Sequence, residues 1–377
     1  MHERVSFLDH DGRATCASIR AKAQQLGFDA VGFARADVSL DRDIDRYRAF
    51  VDAHMHGEMD WLARHGDVRE RLDGEGILPG AKSVICLARR YQRPREREAA
   101  TARAGGAESA ERDTVRSIAR YARGRDYHVF LRRRLRRLAA FVRSLGAPDR
   151  PVHARPLCDQ EPVLERAWAV RAGLGFVGKN GMLIVPGLGS MVLLGEVVTT
   201  LALAVDVPMT ERCGACTRCL DTCPTQAFVA PFVLDPRRCV SYLTIEHRSA
   251  IAPELREGVG THLFGCDDCQ TVCPFNAGAG ARADLGGAAD GDPFAPLERW
   301  ARVRLEELLA LDDAGWRVLS EGTPLKRAGR VGLARNAAIV LGNRGDRGAL
   351  DALRAAAHGH DDPVVRGAAA WAVARLE

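Results

Sequence analysis

Eight cysteines lie between Cys213 and Cys273, and their spacing constrains the fold more than any other feature of the 377-residue chain. Cys213, Cys216, Cys219 and Cys223, followed by Pro224, form the run in which a tight loop offers three thiolates to one [4Fe–4S] cubane and a fourth to another. Cys266, Cys269 and Cys273, followed by Pro274, supply three more, and Cys239 brings the total to eight. Eight thiolates serve two cubanes. On this reading Cys213, Cys216, Cys219 and Cys273 hold cluster one, while Cys223, Cys239, Cys266 and Cys269 hold cluster two, so each run donates a ligand across to the other. Structural zinc is the competing use of CxxC pairs, and the CxxCxxC triple with its trailing CP argues against it.

The remaining cysteines, Cys16, Cys86 and Cys158, are scattered and expected to be structural. Tight cysteine spacing points to metal ligation in a reducing compartment rather than to disulfides. The first thirty residues hold no continuous apolar stretch, and the run Met191–Val205 is interrupted by Glu196 and two threonines. A cytoplasmic protein with no membrane span is therefore expected. Net charge is only +5, yet eleven arginines fall between Arg112 and Arg143 against Asp113 and Asp126. Such a cluster is either a solvated helix face or a surface for a polyanion.

Along the chain, a helix is predicted over Ala14–Leu26, strands at Ala30–Phe33 and Ser83–Leu87, and helices over Asp126–Phe141 and Pro162–Ala172. Further strands are predicted at Met182–Val185 and Met191–Thr199. This mixture reads as an α/β or α+β domain over 1–205, followed by a ferredoxin-like unit over 206–290 that ends in a Gly/Ala-rich stretch. The segment 291–377 reads as helical. Its pieces Arg335–Gly342 and Arg366–Val373 resemble each other at a spacing of 31 residues, as in HEAT-type repeats, with Asp361-Asp-Pro363 as a start signal. Two repeats are too few for a free solenoid and should pack on the preceding domain.

Two motifs mislead. Gly173-Leu-Gly175-Phe-Val-Gly178-Lys179-Asn180 satisfies GxGxxG, but it follows a predicted helix and precedes a strand, the reverse of a dinucleotide or phosphate loop. Its glycines are expected to end that helix and to let backbone approach a cofactor. Asp52-Ala-His54-Met-His56-Gly57 fits a cobalt-histidine string, yet it ends a helical stretch, and His54 is not expected to be a ligand.

Two clusters form an electron wire that needs an acceptor, and some 200 residues precede them. Over its whole length the chain resembles the epoxyqueuosine reductases of tRNA modification. The matching pieces are His56–Leu62, Arg125-Asp-Tyr-His128, Asp159-Gln-Glu-Pro162-Val-Leu-Glu-Arg166 and Ala172–Gly181, together with both cysteine runs, Cys239-Val-Ser-Tyr-Leu-Thr-Ile-Glu246, Gly265–Asn276 and the C-terminal RGAAAWA. One departure is Gln160-Glu161, where that family more often has Thr-Gly. The resemblance implies an α+β protein: an N-terminal cobalamin-binding domain related to reductive dehalogenases, a ferredoxin-like domain with two [4Fe–4S] clusters, and a C-terminal all-α HEAT-like tail. It further implies base-off cobalamin, reduced through the clusters by an external low-potential electron donor, acting on epoxyqueuosine in a tRNA anticodon loop. Asp159 would be the acid that protonates the departing epoxide oxygen, with a carboxyl raised by burial; the competing reading makes it an ordinary helix cap.

Tyr127, His128, Asp159, Lys179, Asn180, Ser190, Gln270 and Thr271 would hold cobalamin. For tRNA the candidates are Arg116, Arg120, Arg123, Arg132–Arg137, Lys326, Arg327, Arg330 and Arg335. A monomer is expected. The alternatives are a reductive dehalogenase, which has no use for a basic surface or helical repeats, and a plain electron carrier.

Overall fold

The computed structural model describes residues 9–91, 114–277 and 292–377, so Arg112, Asp113 and most of the Gly/Ala-rich stretch lie outside the described residues. The first half is built on an antiparallel sheet in the order β1 (Ala30–Arg35), β2 (Ser83–Arg90), β6 (Val192–Thr199), β3 (Ala154–Leu157). Alternation along the strands sends side chains to two faces. Phe33, Ile85, Leu87 and Val197 pack beneath helices α1 (Asp9–Gln25) and α2 (Tyr127–Arg143), and Val84, Cys86, Ala88, Val198 and Leu157 share the opposite core with Trp168 and Ala169 of α3 (Glu165–Arg171). A small hairpin, β4 (Phe176–Val177) with β5 (Leu183–Ile184), follows α3.

Helix α2 starts where the Asp126 carboxylate accepts the His128 N–H at 3.0 Å. It buries Leu131, Leu135, Leu138 and Val142 and turns its arginines outward. Helix α3 stops at Gly173, whose φ of 69° allows the Leu174 N–H to reach the Ala169 carbonyl and its own N–H to reach Val170, both at 3.0 Å. The GxGxxG string thus ends a helix, as expected. Its other glycines differ from expectation: a Cβ at Gly175 would stand 2.0 Å from the Ile184 oxygen and one at Gly178 2.6 Å from the Ile184 side chain, so protein packing demands these small residues.

Among the short helices of the cysteine-rich stretch, α4 (Arg218–Asp221) and α5 (Asp268–Thr271) pack against each other. The C-terminal part is helical throughout its described residues, ending in α6 (Gly329–Arg344), α7 (Leu350–Gly359) and α8 (Pro363–Leu376). The two similar segments fall on α6 and α8. Asp362 caps α8 by accepting the Val364 N–H at 2.7 Å. One continuous core joins Tyr242, Leu243, Leu263 and Phe264 of the cysteine region to Trp300, Leu333, Ala337 and Leu353, so the repeats do pack on the preceding unit. No helix among the described residues is long and apolar enough to cross a membrane.

Arg335 corrects an expectation. Instead of facing a nucleic acid it is buried, and its guanidinium donates to the carbonyl oxygens of Leu243 (2.6 Å), His247 (2.9 Å) and Ser249 (2.7 Å). Asn336 adds bonds to the Thr244 and Leu263 carbonyls at 2.8 and 2.9 Å. These residues tie α6 to the cysteine region by satisfying carbonyls at helix ends and turns. Arg335→Met leaves those carbonyls without donors and should destabilise the protein by about 3 kcal/mol, read as a lowered thermal midpoint of the anaerobically purified protein.

Candidate active site

Strand β3 delivers the chain into a loop at Cys158–Leu164, and Asp159 there adopts φ 61°, a left-handed conformation that a non-glycine residue holds only under constraint. Two carboxylates supply the constraint. The Cys158 N–H donates to Glu161 Oε2 and the Asp159 N–H to Glu165 Oε1, each at 2.9 Å. The residue at the Thr-Gly departure, Glu161, therefore helps to fold the loop. Asp159 does not cap α3, whose N-cap is Leu164, so the ordinary-cap reading does not hold.

The Asp159 carboxylate accepts from the Tyr127 hydroxyl at 2.9 Å and lies 2.8 Å from His128 Nε2, while His128 Nδ1 lies 2.7 Å from Asp126 Oδ1. Tyr127 and His128 stack at 4.1 Å. Both imidazole nitrogens are thus taken by carboxylates. Burial alone would lower the His128 pKa, but the bonds and charges of Asp126 and Asp159 outweigh it and push it up to about 9. For Asp159, burial acts to raise the pKa, and the His128 bond and charge together with the Tyr127 hydroxyl outweigh that and lower it. The expected raised carboxyl is therefore corrected: with a charged imidazole alongside, the proton of this pair resides on His128 at neutral pH.

An aromatic wall leads away from this cluster. Tyr127 meets Tyr121 edge-on at 5.9 Å, and Tyr121 meets Tyr91 and Phe264 at 6.4 Å. Between them Arg120 reaches the cysteine loop, with its backbone N–H donating to Asp267 Oδ2 at 2.8 Å and its guanidinium to Thr271 Oγ1 at 3.0 Å. Tyr91 bonds to Gln270.

Lys179, Asn180, Ser190 and Gln270 form a seam. Lys179 Nζ donates to the carbonyls of Gly214 (2.6 Å) and Cys216 (3.1 Å), and the Asn180 amide to that of Cys269 (3.3 Å). Ser190 Oγ donates to Gln270 Oε1 at 3.1 Å, and the Asn276 amide donates to Ser190 Oγ and to the Gln270 carbonyl. These side chains fasten the glycine segment to both cysteine loops.

Burial raises the thiols of Cys219, Cys239, Cys266 and Cys269, and that of Cys213 to about 11. Neighbouring thiols add to these shifts. Cys273 acts on Cys213 and Cys219, and Cys216 on Cys219; Cys239, Cys219 and Cys223 act on Cys269, and Cys239 and Cys269 on Cys266, so that Cys219 and Cys269 link the two runs. Cys16, Cys86 and Cys158 are buried elsewhere.

The candidate basic residues divide. Arg120 and Arg335 are structural, Arg123 donates to the Ile118 carbonyl, Arg134 to that of Leu26, and Arg330 bridges Asp313 and Asp361. Arg116, Arg133, Arg136, Arg137 and Lys326 are exposed. Arg327 pairs with Glu246 at 2.8 Å, sits 5.5 Å from the Trp61 ring, and its charge acts on Asp159. Sequence reasoning gave no role to Asp126, Tyr121, Glu161 or Glu165. Asp126 stood inside the quoted RDYH motif, but nothing local marks an acid six residues beyond Asp159 as its backbone acceptor.

A set of eight cysteines with iron–sulfur spacing, joined through an aromatic wall to a tyrosine–histidine–carboxylate cluster, has the make-up of an iron–sulfur redox enzyme. The model of a 4Fe-4S double cluster binding domain matches residues 212–276, that of epoxyqueuosine reductase QueG, DUF1730, residues 71–160, and that of HEAT repeats residues 325–377. The epoxyqueuosine reductase of Xanthomonas campestris is 38% identical over 97% of both chains, and that of Escherichia coli K12 is 37% identical over 93% of this chain and 86% of its own. A crystal structure of epoxyqueuosine reductase with an epoxyqueuosine-modified tRNA-Tyr stem loop superposes with a TM-score of 0.81 at 32% identity, covering 97% of this chain and 90% of that one. A Bacillus subtilis epoxyqueuosine reductase, its catalytic aspartate loop swung out of the active site, gives 0.80 at 31% identity, covering 97% and 91%. The chain belongs to the epoxyqueuosine reductase family and is an oxidoreductase with an iron–sulfur domain.

The His128 bridge makes a testable statement about pH. Its raised pKa means the ion pair contributes fully below the ordinary imidazole value and is lost as pH rises through about 9. In ¹⁵N-histidine NMR, His128 should titrate near that value, and Asp126→Asn should bring it down by about one unit or more toward the ordinary value near 6.5.

Proposed function

We propose that this protein reduces epoxyqueuosine to queuosine in the anticodon loop of tRNA, with cobalamin as the reacting cofactor and two [4Fe–4S] clusters as its electron supply. The observation that carries this reading is the unbroken line of contacts from the Asp159–His128–Tyr127 cluster through Tyr121 and Arg120 to Asp267 and Thr271, between the cluster cysteines. In this proposal Cys213, Cys216, Cys219 and Cys273 hold the cluster nearer the site, and Cys223, Cys239, Cys266 and Cys269 the other. Cys273 acts on Cys213 and Cys219, and Cys239 on Cys266 and Cys269, in keeping with that division, while Cys219 acts on Cys269 across it. Segments 1–205, 206–290 and 291–377 are proposed as catalytic, electron-carrying and helical-repeat units.

The residues fit a base-off cobalamin. Its corrin needs an apolar face and polar groups for its rim of amides, and the tyrosine wall with Asp159 and Thr271 at its edges offers both. Tyr127, Gln270 and Thr271 would border it. Lys179, Asn180 and Ser190 would act one layer behind, holding the glycine segment against the cysteine loops. When bound and reduced, cobalamin supplies a strong low-potential nucleophile or electron donor.

The rest of the chemistry falls to this chain. Removing the epoxide oxygen as water takes two electrons, from an external low-potential donor, and two protons. Asp159, held in place through its own N–H and through Tyr127, would take a proton from the His128 imidazolium and pass it to the departing oxygen. Asp126 would keep His128 oriented. The single-stranded loop of a tRNA can splay a base toward the exposed Asp159 carboxylate while its phosphates meet Arg116, Arg133, Arg136, Arg137 and Lys326. The stem-loop complex of the relative supports this substrate.

Asp159→Asn should retain both clusters and the absorbance of bound cob(II)alamin, yet lose at least about 100-fold in conversion of epoxyqueuosine tRNA; full activity would remove Asp159 from the mechanism. Neutralising three of the exposed arginines should weaken tRNA binding and reduce the slope of log affinity against log salt by roughly 0.7–0.9 per charge. An unchanged slope would return them to the solvated surface.

A further inference from the structure

Behind Asp159 the sheet buries a carboxyl that the proposed mechanism does not use. Glu196 lies on β6, directly opposite Cys86 of β2 and Leu157 of β3, the residue two before Asp159. It is 0% exposed, and neither carboxyl oxygen has a hydrogen-bond partner among the described residues. The Trp168 indole N–H, from α3 on the same side of the sheet, is also buried without an acceptor. A charged carboxylate so placed would cost several kcal/mol, and a neutral acid far less. Unsatisfied donors and acceptors in one core are the setting in which internal water bridges polar groups.

The groups acting on Glu196 are all acidic: Glu165 at the start of α3, then Glu161 and Asp159 of the loop, with the Cys86 thiol across the strand pair. Burial raises the Glu196 carboxyl well above the ordinary range, and Glu165 leads the charges that push it further. Burial also raises Glu165, to about 7, with Asp159 the foremost charge acting in the same direction and Arg166 opposing. Glu165 Oε1 meanwhile accepts the Asp159 N–H. A buried acid opposite Leu157, a second acid bonded to the Asp159 N–H, and the exposed Asp159 carboxylate are thus grouped at one end of β3.

We propose that Glu196 and Glu165 form an internal proton store behind Asp159 that supplies the second proton of each turnover. The inference rests on the reading of Asp159 as the group that protonates the departing oxygen. That reaction consumes two protons, and the Asp159–His128 pair holds one. Once that proton has gone, a proton passes from the Glu196 carboxyl, by way of internal water, to Glu165 and from Glu165 to Asp159, which delivers it to the hydroxyl that leaves as water. The two electrons come from the external donor, and Glu196 is reprotonated from solvent after product departs. The arrangement gives a role to Glu196, the one acidic residue on the four strands of the sheet.

Two measurements test the store. At neutral pH the anaerobic wild-type protein should show, in infrared spectra, the C=O stretch of a protonated carboxylic acid shifted by exchange into heavy water, and Glu196→Gln should remove it. A wild-type spectrum without that band overturns the proposal, whatever becomes of the variant. In single-turnover assays with an epoxyqueuosine-bearing tRNA stem-loop, Glu196→Gln should slow product formation by about 10- to 100-fold, with cluster content and KM unchanged, and Glu196→Asp should recover part of the loss. The slowing should grow as pH rises, since fewer protons then arrive by other routes. A Glu196→Gln enzyme with the wild-type rate and pH profile overturns the store while leaving Asp159 in place if Asp159→Asn is inactive. Full activity of both variants overturns the underlying reading instead.

Discussion

The proposed exchange of ligands between the two cysteine runs is the constraint on which the rest of this account depends. If Cys273 completes the cluster of the first run and Cys223 that of the second, neither run folds without the other, and residues some fifty positions apart must be brought within a cubane's width. The short helices α4 and α5 pack together in the way this requires. Everything else is fastened to that pair. Lys179 and Asn180 hold the glycine segment to both loops, Asn276 locks Ser190 and Gln270 together, and Arg335 with Asn336 binds the helical repeats to the segment that carries Cys239. The repeats share one core with the cysteine region, so the tail serves as a buttress for the redox unit.

A second consequence concerns charge. An acid that must work near neutral pH is ordinarily made by burying a carboxyl, and the surroundings of Asp159 do the reverse, pairing it with an imidazolium and a phenol. In the proposed mechanism the proton is then stored on a neighbour, and the aspartate is the arm that carries it. Asp126, His128 and Tyr127 all belong to one helix start, which fixes their geometry relative to one another. The left-handed backbone at Asp159 stores strain in the same short loop, held by Glu161 and Glu165.

Much of this was legible in the sequence. The cysteine count, the strands β1, β2 and β6, helices α1 to α3 and the repeat pair on α6 and α8 all follow from spacing and periodicity. Strand β3, Ala154-Arg-Pro-Leu157, was missed because a proline and an arginine in four residues give no alternation; it lies at the sheet edge, where proline is tolerated. The site was legible where a motif kept its residues together, as in Asp126-Tyr-His128. It was misjudged where a role depends on what lies across the fold: Arg335 looked like one more surface arginine. The bonds of Lys179 to carbonyls of the first cysteine loop and of Ser190 to the Gln270 amide were likewise beyond what spacing could reveal. A lone Glu196 in an apolar run read as an interruption, since only the pairing of strands reveals that it lies beneath the Asp159 loop.

The central claim is that cobalamin, fed by both clusters, is the reagent this protein uses on tRNA. Its most direct test is anaerobic conversion of an epoxyqueuosine-bearing stem-loop by the cluster-loaded protein with a low-potential reductant, with and without added cobalamin, followed by mass spectrometry of the released nucleoside. Loss of one oxygen atom only when cobalamin is present, and not in a protein lacking Cys273, is the predicted result. Equal conversion without cobalamin would contradict it.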